Sequence, residues 1–271
     1  MADHHASTGS AAAHGQKTDL LFQIGALLGS ILIVHTVYLL SIRPSASLQV
    51  AEAAAINQAP ERTLFIILKD YEQEICLILM LWAVCIIGRK IAESLRHRHF
   101  LDVDLIDRQG TQEVTQATAR SALQQLWDLG RPALDAVVVQ SLIAGLQRFI
   151  ATGSIQNASH AVAEYTDAVA ARLDTELSMV RYIIWAIPSA GFIGTVRGIG
   201  DALSQAHIAL EGDIAGMTAS LGVAFNSTLV ALLISIVLMF LLHQLQLIQD
   251  KSVLDAQDYC DQMFLKHLIE D

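Results

Sequence analysis

Cysteine is scarce: Cys76, Cys85 and Cys260 are the three in 271 residues, too few for a disulfide framework. The first two lie in an apolar run, where a thiol behaves as a small hydrophobe. Basic residues are also few, 17 Lys and Arg against 27 Asp and Glu, for a formal net charge of -10. With no basic stripe to neutralise phosphates, nucleic acid is not an expected partner. The segment Met1 to Lys17 lacks the basic n-region followed by a short apolar core that marks a cleaved signal, and reads instead as a disordered cytoplasmic tail. His4, His5 and His14 in that tail have no Cys or carboxylate arranged around them, so no metal site and no cofactor are expected. Nucleophile elbow, phosphate loop and metal-ligand spacing are all missing, which leaves an enzyme the least supported class.

What the chain does contain is apolar surface. Hydrophobic residues make up 53% of it, and its mean hydropathy of +0.45 lies on the membrane side of ordinary globular composition. A spanning helix needs roughly 20 apolar residues to cover about 30 Å of hydrocarbon at about 1.5 Å per residue. Four stretches meet or approach that length: 20–42, ending at Arg43-Pro44; 74–91, ending at Arg89-Lys90; 182–203, which contains Arg197 and Asp201; and 221–245, whose core NSTLVALLISIVLMFLL carries no charge. The expected fold is therefore an all-α polytopic membrane protein with four transmembrane helices and a helical domain in the cytoplasm. Its remaining divisions are the tail 1–19, periplasmic loops at 43–73 and 204–220, the cytoplasmic domain 92–181, and a cytoplasmic C-terminal helix 246–271.

Orientation follows from basic residues, which concentrate on the cytoplasmic side. Arg89, Lys90, Arg96 and Arg98 flank the inner end of the second span, whereas Ser204 to Ser220 has neither Lys nor Arg. That places the large domain and both termini in the cytoplasm of a multi-pass inner-membrane protein, with lipid around the spans. Arg43, Arg62 and Lys69 in the first loop run against this rule. His35 and the Arg96 to His99 cluster read as peripheral: a lone histidine facing a helix neighbour and positive-inside anchors.

Small residues form stripes in the last two spans. Pro188, Gly191, Thr195, Gly198 and Ala202 recur at spacings of three and four, so they share one helical face. Gly194 and Gly198 add a GxxxG pair suited to close helix approach in lipid. Ala224, Thr228, Ala231 and Ser235 make a matching face in the fourth span. Neither face carries a carboxylate, so a titrating group is expected from a partner. Pro188 reads as a structural kink, and a threonine in such a helix commonly bonds the carbonyl one turn back.

The segments RYIIWAIPSAGFIGTVRGIGDAL and AFNSTLVALLISI resemble the third-span and last-span signatures of the MotA/TolQ/ExbB proton-channel family. The four spans match its flagellar-stator branch, while the signatures are closer to ExbB/TolQ. The resemblance implies a homo-oligomer, a pentamer, around the single helices of an ExbD-, TolR- or MotB-like subunit whose aspartate takes up and releases the ion, expected to be H+. It further implies that Thr195 and Thr228 line the ion route, in a motor driven by proton-motive force whose client the partner sets: import, envelope maintenance, protein transport or rotation. The partner's separate chain would supply any periplasmic domain. Asn226, Ser227 and Ser235 are further candidate polar pore residues, with interhelical hydrogen bonding as the plainer role. Arg197 and Asp201, one turn apart, are expected to pair with each other, where family members often have a neutral residue in place of the arginine. A non-conducting membrane scaffold is the alternative reading. A solute transporter would show inverted repeats, and none is evident.

Overall fold

The computed structural model describes residues 2–55, 61–97, 114–210 and 212–269, with the side chains of 2–17, 54, 131 and 132 outside the description. Among the described residues the fold is all-α, without a strand; one isolated bridge joins Val114 to Leu268. The helices in chain order are α1 (Ala2–Val37), α2 (Arg43–Ala55), α3 (Leu64–Leu68), α4 (Tyr71–His97), α5 (Gln116–Asp128) and α6 (Arg131–Leu134). There follow α7 (Val137–Thr152), α8 (Ile155–Glu176), α9 (Ser178–Ser204), α10 (Ala206–Leu210) and α11 (Ala215–Met263). By length and composition four helical stretches can cross a membrane: Thr18–Ala53, Tyr71–Arg96, Ile155–Ser204 and Ala215–His267.

Several boundaries differ from the expected ones. The backbone is helical from Ala2 where a disordered tail is expected over 1–19; alanine, frequent there, is the strongest helix former. The first span does not stop at Arg43-Pro44. A π-turn at Tyr38–Ile42 joins α1 to α2, and the Arg43 N–H bonds the Tyr38 carbonyl five residues back. This wider winding makes room for the Pro44 ring, which in regular α winding would meet a carbonyl of the preceding turn. The stretch read as the loop 43–73 is thus largely helical, and α4 begins at Tyr71 rather than Glu74, with Glu72 and Glu74 in its first turn, where acidic side chains suit the helix dipole. The loop 204–220 is shortened by α10 and by the start of α11 at Ala215. Arg98, His99 and part of the region 92–113 lie outside the described residues.

The chain divides into two compact units, residues 1–87 with 179–241, and 88–178 with 242–271. In the first, large apolar side chains point outward: Leu32, Leu40, Trp185, Phe192, Ile193, Ile236 and Phe240 are all exposed. Such a continuous apolar exterior is the surface of a protein solvated by lipid or by neighbouring helices. Its interior holds Tyr38, Cys76, Ala83, Ile183, Ile187, Ala231 and Leu238. The Trp82 indole donates to the Gln23 carbonyl at 2.9 Å, tying α4 to α1.

The second unit has the inverse distribution, with an apolar core and a polar surface. Leu126, Val139, Leu142, Leu146, Phe149, Ala158 and Val162 pack with Ala256, Cys260 and Phe264 from the end of α11. Each large side chain so buried contributes about 1.5–3 kcal/mol. Thr115 caps α5 through a reciprocal bond pair with Thr118, satisfying donors the first turn would otherwise leave open. Gly153, in the left-handed region at φ +66°, closes α7, a conformation that favours glycine. Lys90 is ion-paired with Glu176, which also binds Arg172 at 3.0 Å.

Candidate functional site

The glycine stripe of α9 lies against α11. A β-carbon on Gly191 would strike that of Ala231, and one on Gly198 would come within 2.7 Å of the Ala224 nitrogen and of the Ser220 carbonyl oxygen. These approaches, to a side-chain methyl at Gly191 and to backbone at Gly198, leave no room for a β-carbon, so the stripe read from the sequence is the seam of this helix pair. Ala202 and Ala224 are buried in it. Pro188 sits inside α9 without ending it.

The two threonines meet across this seam. Their hydroxyl oxygens are hydrogen-bonded to each other; Thr195 Oγ1 also donates to the Ala224 carbonyl at 3.0 Å, and each hydroxyl reaches the Gly191 carbonyl, at 3.4 and 3.5 Å. Two hydrogens thus face more acceptors than they can serve at once. Thr228 can donate to Thr195 while Thr195 donates to Ala224, or the pair can reverse, with Thr195 donating to Thr228 and Thr228 to Gly191. A hydroxyl pair with two orientations of similar geometry can pass hydrogen-bond polarity along the helix interface, which an apolar seam cannot.

The other candidate polar residues are engaged within the protein. Asn226 Oδ1 accepts from Arg62 at 3.3 Å. Ser227 Oγ donates to the Val223 carbonyl at 2.9 Å and accepts from Gln73 Nε2 at 3.4 Å. Ser235 Oγ is buried and donates to Ala231 on its own helix at 2.9 Å.

Neither face carries a carboxylate of its own, but Glu72 of α4 is brought against α9. Its side chain lies so close to α9 that a β-carbon on Gly194 would be 3.0 Å from Glu72 Cγ and 2.5 Å from Ser227 Oγ. Arg197 Nε donates to Glu72 Oε1 at 2.7 Å and Nη2 to Oε2 at 2.9 Å, while Asp201 stands 3.6 Å away on the exposed side. The chief partner of Arg197 is therefore Glu72, with Asp201 second. A planar guanidinium against a carboxylate is a strong, directional pair.

The next residues of α4 are also turned inward. Gln73, fully buried, reaches Ser227 on α11, and Glu74 meets His35 Nδ1 on α1 and Arg43 Nη2, each at 2.6 Å. Successive residues on a helix fan out by about 100°, so one turn of α4 touches α9, α11 and α1 in order. His35 faces its helix neighbour α4 through Glu74 rather than standing alone. Arg43 lies over the Tyr71 ring at 4.5 Å and the Tyr38 ring at 5.9 Å. Just before the helix, burial pushes the Asp70 carboxyl above its usual range, against the lowering influence of Lys69 and Arg197. Sequence reading missed this cluster because DYEQE lowers local hydropathy; the available signal was acidic residues at the start of an apolar run.

The fold and the site define an all-α, multi-pass membrane protein whose last spans join at glycines around a pair of hydroxyls, with charges paired inside the bundle. The sequence profile of the MotA/TolQ/ExbB proton channel family matches residues 133–258 of the chain. Thr195, Thr228 and Arg197 fall within the matched residues; His35, Glu72, Gln73 and Glu74 precede them. No curated protein and no solved structure matches the chain significantly.

Proposed function

We propose that this chain is the pore-forming large subunit of an inner-membrane motor driven by proton-motive force, coupling ion flow to movement of a single-span partner. The observation that carries this reading is the hydroxyl pair Thr195–Thr228, which bridges α9 and α11 inside the family-matched region. In this reading the chain forms a homopentamer with both termini in the cytoplasm. An aspartate on an ExbD-, TolR- or MotB-like helix carries the proton past the threonines, whose hydroxyls offer hydrogen bonds to the neutral acid where an unsatisfied polar group is costly. Each charge crossing 100 mV releases about 2.3 kcal/mol, so several together can drive helix movement. The chain performs no covalent chemistry in this scheme.

The test is flux driven by a pH gradient in liposomes holding the chain with its single-span partner. Thr195→Val and Thr228→Val keep side-chain shape and remove the hydroxyl. Each is expected to lower flux roughly tenfold, the equivalent of about 1.4 kcal/mol and comparable to one hydrogen bond, while the complex still purifies intact. Wild-type flux in both variants overturns the assignment of the threonines. Absence of flux with every partner favours the non-conducting scaffold.

A further inference from the structure

Three side-chain oxygens of the first unit are buried without a hydrogen-bond partner among the described residues: Tyr38 Oη, Asp70 Oδ2 and Gln73 Oε1. Tyr38 and Gln73 are fully buried. An orphaned polar atom in a protein interior costs on the order of 1–3 kcal/mol, and buried water is the usual remedy where several polar groups converge. These oxygens belong to one neighbourhood. The Tyr38 ring lies 5.9 Å from the Arg43 guanidinium, which binds Glu74 at 2.6 Å, and Asp70 and Gln73 stand within one turn of Glu74 at the start of α4.

The neighbourhood has polar connections in two directions. Outward, Arg43 and Lys69 line an open cavity of about 380 Å³ with Ala46, Ser47, Val50 and Ala51; Lys69 adjoins Asp70, and the Arg43 guanidinium touches Glu74 and covers the Tyr38 and Tyr71 rings. Inward, the Gln73 amide donates to Ser227, the residue before Thr228.

We propose that Tyr38, Asp70 and Gln73 bind ordered water between the π-turn of the first span and the first turn of α4, forming a hydrated access route from the Arg43–Lys69 cavity toward Ser227 at the α9–α11 seam. The ligand is water or a hydrated proton. Tyr38 donates to it through its hydroxyl, Asp70 and Gln73 accept from it, and Gln73 orients water toward Ser227 without itself carrying a proton. The route lies within one chain. It rests on the channel reading for its purpose, though not for its detection.

Radiolytic labelling of the wild-type complex in lipid nanodiscs, with isotopic water as oxygen donor, tests it without reference to conduction. Tyr38 is compared with Phe149, an equally buried ring in the apolar core of the second unit. Water held against the Tyr38 ring is expected to make it label about tenfold faster than Phe149, since hydroxyl radicals form where water is bound. Equal, slow labelling of both rings overturns the proposal, whatever the flux measurements give. In liposomes, Tyr38→Phe removes only the orphaned hydroxyl. A hydrated route predicts a flux loss of roughly tenfold, the size of one lost hydrogen bond; a variant of unchanged flux and raised thermal stability, as expected for deleting a dry, unpaired hydroxyl, overturns it.

Discussion

Arg197 holds Glu72 with two nitrogens, at 2.7 and 2.9 Å, across 125 residues of sequence. The pair fastens α4 to α9 beside the glycine that precedes Thr195. Glu72→Ala is expected to destabilise the protein by about 1–3 kcal/mol, less than a fully enclosed pair would cost because the Arg197 side chain is 43% exposed. Arg197→Met together with Glu72→Met, which removes both charges, is expected to recover most of that loss. Thermal unfolding of the detergent-solubilised chain measures both; a double variant no more stable than Glu72→Ala would show that the pair is not the fastening.

The glycines of α9 differ in what surrounds them, and alanine substitutions should follow that difference. Gly198→Ala puts a methyl group on the backbone of α11 and is expected to cost about 1–3 kcal/mol through overpacking. Gly200→Ala meets nothing within 4 Å, and is expected to be neutral or to stabilise by up to about 1 kcal/mol, since alanine is the better helix former. Equal effects in the same unfolding assay would contradict the seam.

Phe264 fills the space over Gly145 in the second unit, 2.8 Å from where a β-carbon would stand, and is fully buried. Phe264→Ala is expected to cost about 3–5 kcal/mol and to expose the peptide bonds around Met263 to protease. Limited proteolysis with mass mapping reads this out; an unchanged cleavage pattern would mean that the C-terminal segment is held by other contacts.

Burial pushes the Cys260 thiol up to about 12. Its thiolate form is favoured only above that pH, so the folded chain should resist alkylation at Cys260 at pH 8–9, where an ordinary thiol near 8.5 reacts readily. Unfolding restores the ordinary value, and reaction at Cys260 should then be complete. Rapid native labelling at pH 8.5, read by peptide mass spectrometry, would contradict the packing described for the end of α11.

The four helices and the small-residue seam were legible because each depends on local periodicity, whereas the two threonines were singled out by the resemblance of their segments to the family's signatures. Apolar length marks a span, and small residues at spacings of three and four mark a seam, whatever the rest of the chain does. Glu72, Gln73 and Glu74 were not legible, because their partners lie on three other helices and their polarity argues, by composition alone, for a loop. Ser235 shows another thing that spacing leaves open. Its place on the small-residue face made it a candidate polar pore residue, and its hydroxyl donates to the carbonyl one turn back, a choice that spacing does not reveal. The π-turn was hidden for a similar reason: proline after arginine signals a helix end, and only the neighbouring backbone decides whether it becomes one.

That turn also sets a phase. His35 and Arg43 are eight residues apart, and unbroken α winding at about 100° per residue would leave them roughly 80° out of line. A π-turn absorbs one residue, which brings the offset down to roughly 20°. The two side chains can then close on one carboxylate, Glu74, from the same side of a single helix. Counting faces along α1 as if its winding were uniform would assign Arg43 and all of α2 to the wrong azimuth. A one-residue deletion in α1 before Tyr38 would rotate the whole preceding segment away from Arg43, whereas the same deletion inside the π-turn would leave both ends in step.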